Sequence, residues 1–151
     1  MTRNQNYQRS NQIVKVDFKI TPNTQAIASQ LLDAMSASQR QTLGEQLLDE
    51  LSDAAQIDIV KLKVSETRQY HKRSGGRIVF KQYGYYRPQS HYIYIQNLTP
   101  ARGQILAPKT FLDTLLHEWL HHYDYKKLGL DSIHTSGFYM RLKSLKSKLG
   151  V

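Results

Sequence analysis

His117-Glu118-Trp119-Leu120-His121 sets two imidazoles four residues apart with a carboxylate beside the first. On an α-helix, residues four apart lie one above the other, so His117 and His121 project from one face. That spacing suits two of the four tetrahedral positions around Zn²⁺. Glu118 is rotated about 100° from His117 along a 3.6-residue turn, too far round to be a third ligand of the same kind. It is placed to take a proton from a metal-activated water, the general-base role of this HExxH pattern in hydrolytic zinc sites. The competing reading is a surface helix with two solvated histidines. The intervening carboxylate and the apolar residues around it weigh against that.

A catalytic zinc takes three protein ligands and keeps one open position. No glutamate follows Glu118, which excludes a downstream Glu ligand. The metzincin continuation needs Gly at position 124 and His at 127, where this chain has Asp124 and Lys127. His122, Asp124, Asp131 and His134 are left. His122 follows a ligand directly and faces about 100° away from it. Asp124 lies close to the ligand face but suits an acceptor for an imidazole N–H better than a ligand. His134 stands beyond Gly129, immediately before a new helical run, where a returning chain can bring it to the metal. His134 is the expected third ligand, with water in the fourth position.

Several signals define the helix that must position this motif. Thr110-Phe111-Leu112-Asp113 reads as a capping box, with Thr110 as N-cap. Leu112, Leu115, Leu116, Trp119, Leu120 and Tyr123 form a broad apolar stripe. Lys126 and Lys127 suit the C-terminal dipole, and Gly129 an αL cap. The helix is expected from about Phe111 to Leu128.

These residues resemble the SprT-like zinc metalloprotease domain. The likeness rests on Leu115-Leu116-His117-Glu118-Trp119-Leu120-His121-His122 and on His134-Thr135-Ser136-Gly137-Phe138. It is tight over residues 110–145 and looser upstream, where Ile78–Phe80 and Tyr92–Ile95 would be family strands. It implies a zincin-like α+β fold and peptide-bond hydrolysis. Two features depart from the family: Thr135 follows the third His where a small residue is common, and the chain has no cysteines for a C-terminal zinc ribbon.

The rest of the chain reads as one domain over residues 12–151, preceded by a flexible polar arm at 1–11. A chain of 151 residues buries close to 70% of its unfolded surface, enough for an independent core. Zero cysteines exclude thiolate ligands and fit a cytoplasmic protein. No apolar run approaches the ~20 residues needed to span a bilayer, so no membrane is expected. Val14, Val16, Phe18 and Ile20 alternate with polar residues as in a half-buried strand. Helices follow from Thr21-Pro22 and over about Ser38–Ala55, then strands at Ile57–Val64, Arg77–Tyr83 and His91–Gln96. Ser74-Gly75-Gly76 reads as a turn, and His134 or Ser136 as the cap of a last helix with Phe138, Leu142, Leu145 and Leu149 inside. The order predicts a small, largely antiparallel sheet packed on helices. The strand near Tyr92–Ile95 could offer an edge to an extended protein or peptide substrate.

Charge is uneven within a net +9. Residues 61–87 carry Lys61, Lys63, Arg68, Lys72, Arg73, Arg77, Lys81 and Arg87 against Glu66 alone, interleaved with Tyr85 and Tyr86. Cations among aromatics grip phosphates and stack unpaired bases, so Lys72, Arg73, Arg77, Tyr85 and Tyr86 are candidates for binding single-stranded DNA. The plain alternative is a solvated surface with ordinary strand tyrosines. Arg141, Lys143, Lys146 and Lys148 are expected on the outer side of the last helix. Two functions follow: a zinc-dependent peptidase, acting on DNA-associated proteins if the basic segment binds DNA, or a nucleic-acid-binding accessory protein whose zinc is structural or idle.

Overall fold

The computed structural model describes residues 1–67, 83–99 and 102–151; within 68–82 it gives the backbone of two strands, β2 (Lys72–Ser74) and β3 (Arg77–Phe80), which pair antiparallel. Helix α4 (Pro108–Lys126) carries the HExxH motif. Ten of its nineteen residues are buried, too many for a one-sided surface helix, and it packs on several elements at once. Its N-cap is Ala107, with no capping side chain, and Thr110 lies inside the first turn. Pro108 at the first position removes one of the donors a cap would serve, which lets the helix start earlier than the capping box implied. Gly129, just past the end, takes the left-handed φ of +63°.

A three-stranded sheet lies against α4 in the order β1 (Lys61–Ser65), β5 (Tyr92–Gln96), β4 (Gly84–Arg87). β5 runs parallel to β1 and antiparallel to β4, so this sheet is mixed rather than largely antiparallel. Residues 66–91 separate β1 from β5, ample for the crossover a parallel pair needs. The Tyr92–Ile95 segment is therefore the central strand; the edge towards the motif is β4. Leu62, Val64, Ile93 and Ile95 are buried against the helices. Period-2 alternation turns Lys61, Lys63, Tyr85, Arg87, Tyr92 and Tyr94 to the other face.

Residues 13–20 form no strand, although Val16 and Phe18 are buried as expected. Side chains meet this backbone where a neighbouring strand would have. Val16 N–H donates to Ser144 Oγ (3.3 Å), Asp17 N–H to Tyr123 Oη (3.3 Å), and Lys148 Nζ donates to the Phe18 carbonyl (2.8 Å). The alternation records one-sided burial, not a ladder. Helices α2 (Pro22–Leu31) and α3 (Ala37–Ala55), capped by Thr21 and Ser36, complete the core through Leu31, Leu47, Leu48 and Leu51.

Two further expectations need correction. The N-terminal arm is helix α1 (Arg3–Gln12), opened by a capping box between Thr2 and Gln5 and packed on helix α5 (Ser136–Leu149). Arg141 of α5 is fully buried, not on the outer side. The α5 cap is Thr135, whose Oγ1 accepts from Phe138 N–H at 3.0 Å; His134 is thereby left free for the site.

Candidate metal centre

One turn of α4 stacks His117 over His121, and their Nε2 atoms lie 3.3 Å apart. The loop after Gly129 returns to this face and sets His134 Nε2 at 3.0 Å from each of them. Two nitrogens about 2.0–2.1 Å from a zinc ion at the tetrahedral angle are about 3.3–3.4 Å apart, close to what these residues already provide. The three histidines lie close enough together to bind a metal ion, and among the described residues no fourth His, Asp or Glu joins the group. Phe138 packs against all three rings, with centroid distances of 4.7–5.4 Å, and lies nearly parallel to His121.

Neighbouring groups decide which nitrogen faces the centre. Ser132 Oγ donates its one proton to Asp124 Oδ2 (2.9 Å), so it can only accept from His121 Nδ1–H (2.8 Å). His121 is thus held with its Nε2 lone pair turned to the other two rings. Asp124 was expected to accept from a histidine directly. It acts through Ser132, and is itself held by Arg141 in a pair with no solvent exposure on either side chain (Nη2–Oδ2 2.7 Å). Burial, then the neighbouring His134, lowers the His117 pKa to about 4. Burial, then His117 and His134, lowers that of His121 to about 3. Both rings are neutral at pH 7. The Nε2 lone pair of His121 lies 3.3 Å from His117 Nε2 and 3.0 Å from His134 Nε2, and metal binding needs deprotonated ligands.

Glu118 lies on the adjoining side of the helix, where burial raises its pKa to about 7. No hydrogen bond or ion pair engages its carboxylate among the described residues. It opens with the three histidines into a cleft of about 830 Å³. Tyr83–Tyr86, along β4, form one wall, and Tyr139, Leu142 and Lys146 of α5 another. A carboxylate that is buried without a cationic partner, and titrates near neutrality, is equipped to accept and return a proton.

The expected nucleic-acid residues divide. The side chains of Lys72, Arg73 and Arg77, and the Gly75-Gly76 turn, fall outside the described residues. Tyr85 and Tyr86, adjacent in β4, point to opposite faces. Tyr85 stacks on Tyr94 (5.1 Å, 11°) under the Arg87 guanidinium. Tyr86 turns towards α4. His122 Nε2–H donates to the Asp58 carbonyl (2.6 Å), so its Nδ1 accepts from the Tyr86 hydroxyl (2.7 Å). Burial also raises the Tyr86 pKa strongly. Tyr86 is half-buried in the cleft wall and engaged by His122, which is its partner rather than a metal ligand. Sequence reasoning missed Ser132 altogether, because its role depends on where the loop returns.

No family model, curated protein or solved structure matches the chain.

Proposed function

We propose that this protein is a zinc-dependent peptidase of the SprT-like kind, with His117, His121 and His134 as metal ligands and Glu118 as general base. The observation that carries the reading is the shared cleft: three convergent Nε2 atoms beside a buried carboxylate with no partner among the described residues. A bound zinc ion would supply Lewis acidity, making water nucleophilic near neutral pH and polarising a carbonyl. Glu118 accepts the proton of the attacking water and returns it to the leaving amine. β4, the outer strand of the sheet among the described residues, borders the cleft, where an extended peptide can pair with the sheet and lie across the three histidines. The absence of a fourth ligating side chain among the described residues favours this reading over a structural zinc, which closes all four positions.

The test is Glu118→Gln, which keeps shape and removes the base. Cleavage of a heat-denatured protein should fall by orders of magnitude while zinc content stays that of the parent. Equal rates in parent and variant would refute the reading.

A second reading, binding of single-stranded nucleic acid, is favoured by the open face of the sheet. Tyr85, Tyr92 and Tyr94 cluster there, with ring centroids 5.1 and 6.4 Å apart. Lys61 and Lys63 stand opposite Tyr92 and Tyr94 in the register, and Arg87 caps Tyr85. Stacking rings flanked by cations are what a phosphate-linked strand needs. This face adjoins the cleft at β4, where Tyr85 belongs to both.

A further inference from the structure

We propose that α1 is a clamp on the metal centre: docked, it holds the loop that carries Ser132 and His134 in ligating position, and displaced, it lets metal go. The inference rests on the three-histidine centre proposed above. The loop from Leu130 to Thr135 has little structure of its own. Its backbone hydrogen bonds lie at its two ends, Leu130 N–H to the Asp124 carbonyl (3.0 Å) and Thr135 N–H to the Ile133 carbonyl (2.9 Å). Its middle is held from two sides, Ser132 by Asp124 and His121 of α4, and Asp131 by α1. The buried Asn6 side chain pairs with Asp131 in both directions, Nδ2 donating to the Asp131 carbonyl (2.8 Å) and Oδ1 accepting from its N–H (2.9 Å). Asp131 adjoins Ser132, which orients His121, and lies three residues before His134.

Two more attachments hold the far end. Ser10 Oγ meets Thr135 Oγ1 at 2.8 Å, directly after His134. Asn11 Oδ1 accepts from Ser136 Oγ (2.9 Å) and Gly137 N–H (3.0 Å). The approach is so close that a Cβ on Gly137 would stand 2.1 Å from the Ser10 carbonyl oxygen and 2.7 Å from Asn11 Cα; only glycine lets α1 seat. Beneath the contact, Arg141 joins the same helix to the other arm of the site. Its Nη1 donates to the Ser10 and Ile13 carbonyls, and its Nη2 to Ser10 Oγ and Asp124 Oδ2. Asp124 continues through Ser132 to His121. Both His134 and His121 are thus positioned from residues 6–13.

Asn6→Ala and Gly137→Ala test this by two routes, one cutting the loop's tether and one blocking the seat without altering α1. Gln8→Ala, exposed on the same helix, is the control. Zn²⁺ affinity is read by competition with a chromophoric chelator, coordination by the visible spectrum of the Co²⁺ form, and folding by far-ultraviolet circular dichroism. The clamp predicts zinc affinity ten- to a hundredfold weaker in Asn6→Ala and Gly137→Ala, the range found when groups supporting a ligand are removed. It also predicts an altered Co²⁺ band in folded protein and parent behaviour in Gln8→Ala. Should Gly137→Ala not fold, Asn6→Ala decides. Parent affinity and spectrum in a folded Asn6→Ala protein would overturn the clamp while leaving the metal centre standing. If the parent itself binds no zinc, the metal reading fails, and amide exchange in the metal-free protein judges the clamp. Faster exchange over residues 131–134 in Asn6→Ala supports it, and unchanged exchange overturns it.

Discussion

Arg141→Met probes the buried network behind the site. The substitution keeps an unbranched apolar stem and removes a guanidinium whose five N–H groups are spent on Asp124, Ser10 and Ile13. Asp124 would then be a fully buried carboxylate with only Ser132 to meet it. Removing one partner of such a pair costs about 3–5 kcal/mol, and each carbonyl left without a donor adds about 1 kcal/mol or more. The sum, roughly 5–7 kcal/mol, is a large part of the 5–15 kcal/mol typical of a whole domain. At about 2–4 °C per kcal/mol for a chain of this length, the melting temperature should drop by roughly 10–30 °C. Urea unfolding in EDTA, followed by fluorescence of the single, fully buried Trp119, gives the loss directly. Adding Asp124→Asn removes the stranded charge and should recover part of it. A loss below about 1 kcal/mol in Arg141→Met, or a double variant no better than the single, would refute the reasoning.

Ser132→Ala leaves His121 Nδ1–H without its acceptor and should weaken zinc binding ten- to a hundredfold by chelator competition, with the fold intact. In the metal-free protein His117 and His121, with pKa values near 4 and 3, stay neutral where the histidines of the unfolded chain, near 6.5, already bind protons. Their contribution should therefore be complete above pH 6.5 and fall as pH drops towards 4, and Glu118→Gln removes the opposite contribution of the raised Glu118 carboxyl; equal melting temperatures of metal-free Glu118→Gln at pH 7.5 and 5 in EDTA would contradict this. If the open sheet face binds single-stranded DNA, charge reversal at Lys61, Lys63 and Arg87 should weaken binding and flatten its dependence on log salt. Tyr94→Ala should cost affinity with little change in slope, and Tyr86→Phe should leave binding unchanged.

The motif helix was legible because its signals are local: the four-residue spacing and the apolar stripe both survive in the fold. His134 was reachable by elimination, since few ligating residues follow His121. Other features depend on what the chain meets in space. α1 has no apolar stripe and buries Asn6 and Ser10 instead, so its stability comes from hydrogen bonds to residues more than a hundred positions away. The 13–20 segment alternates like a strand because one side is buried, while its backbone partners are side chains of α4 and α5. Arg141 did carry a signal: it lies three residues after Phe138 and four before Leu145, on the inner stripe of α5, where a charge requires a buried partner. Asp124 was the available candidate.

Anomalous diffraction at the zinc edge from zinc-loaded crystals tests the central claim most directly. The account predicts one zinc per chain, about 2.0–2.1 Å from the Nε2 atoms of His117, His121 and His134, with the remaining position free of protein atoms. No zinc among these three residues, or a fourth protein ligand closing the site, would contradict it.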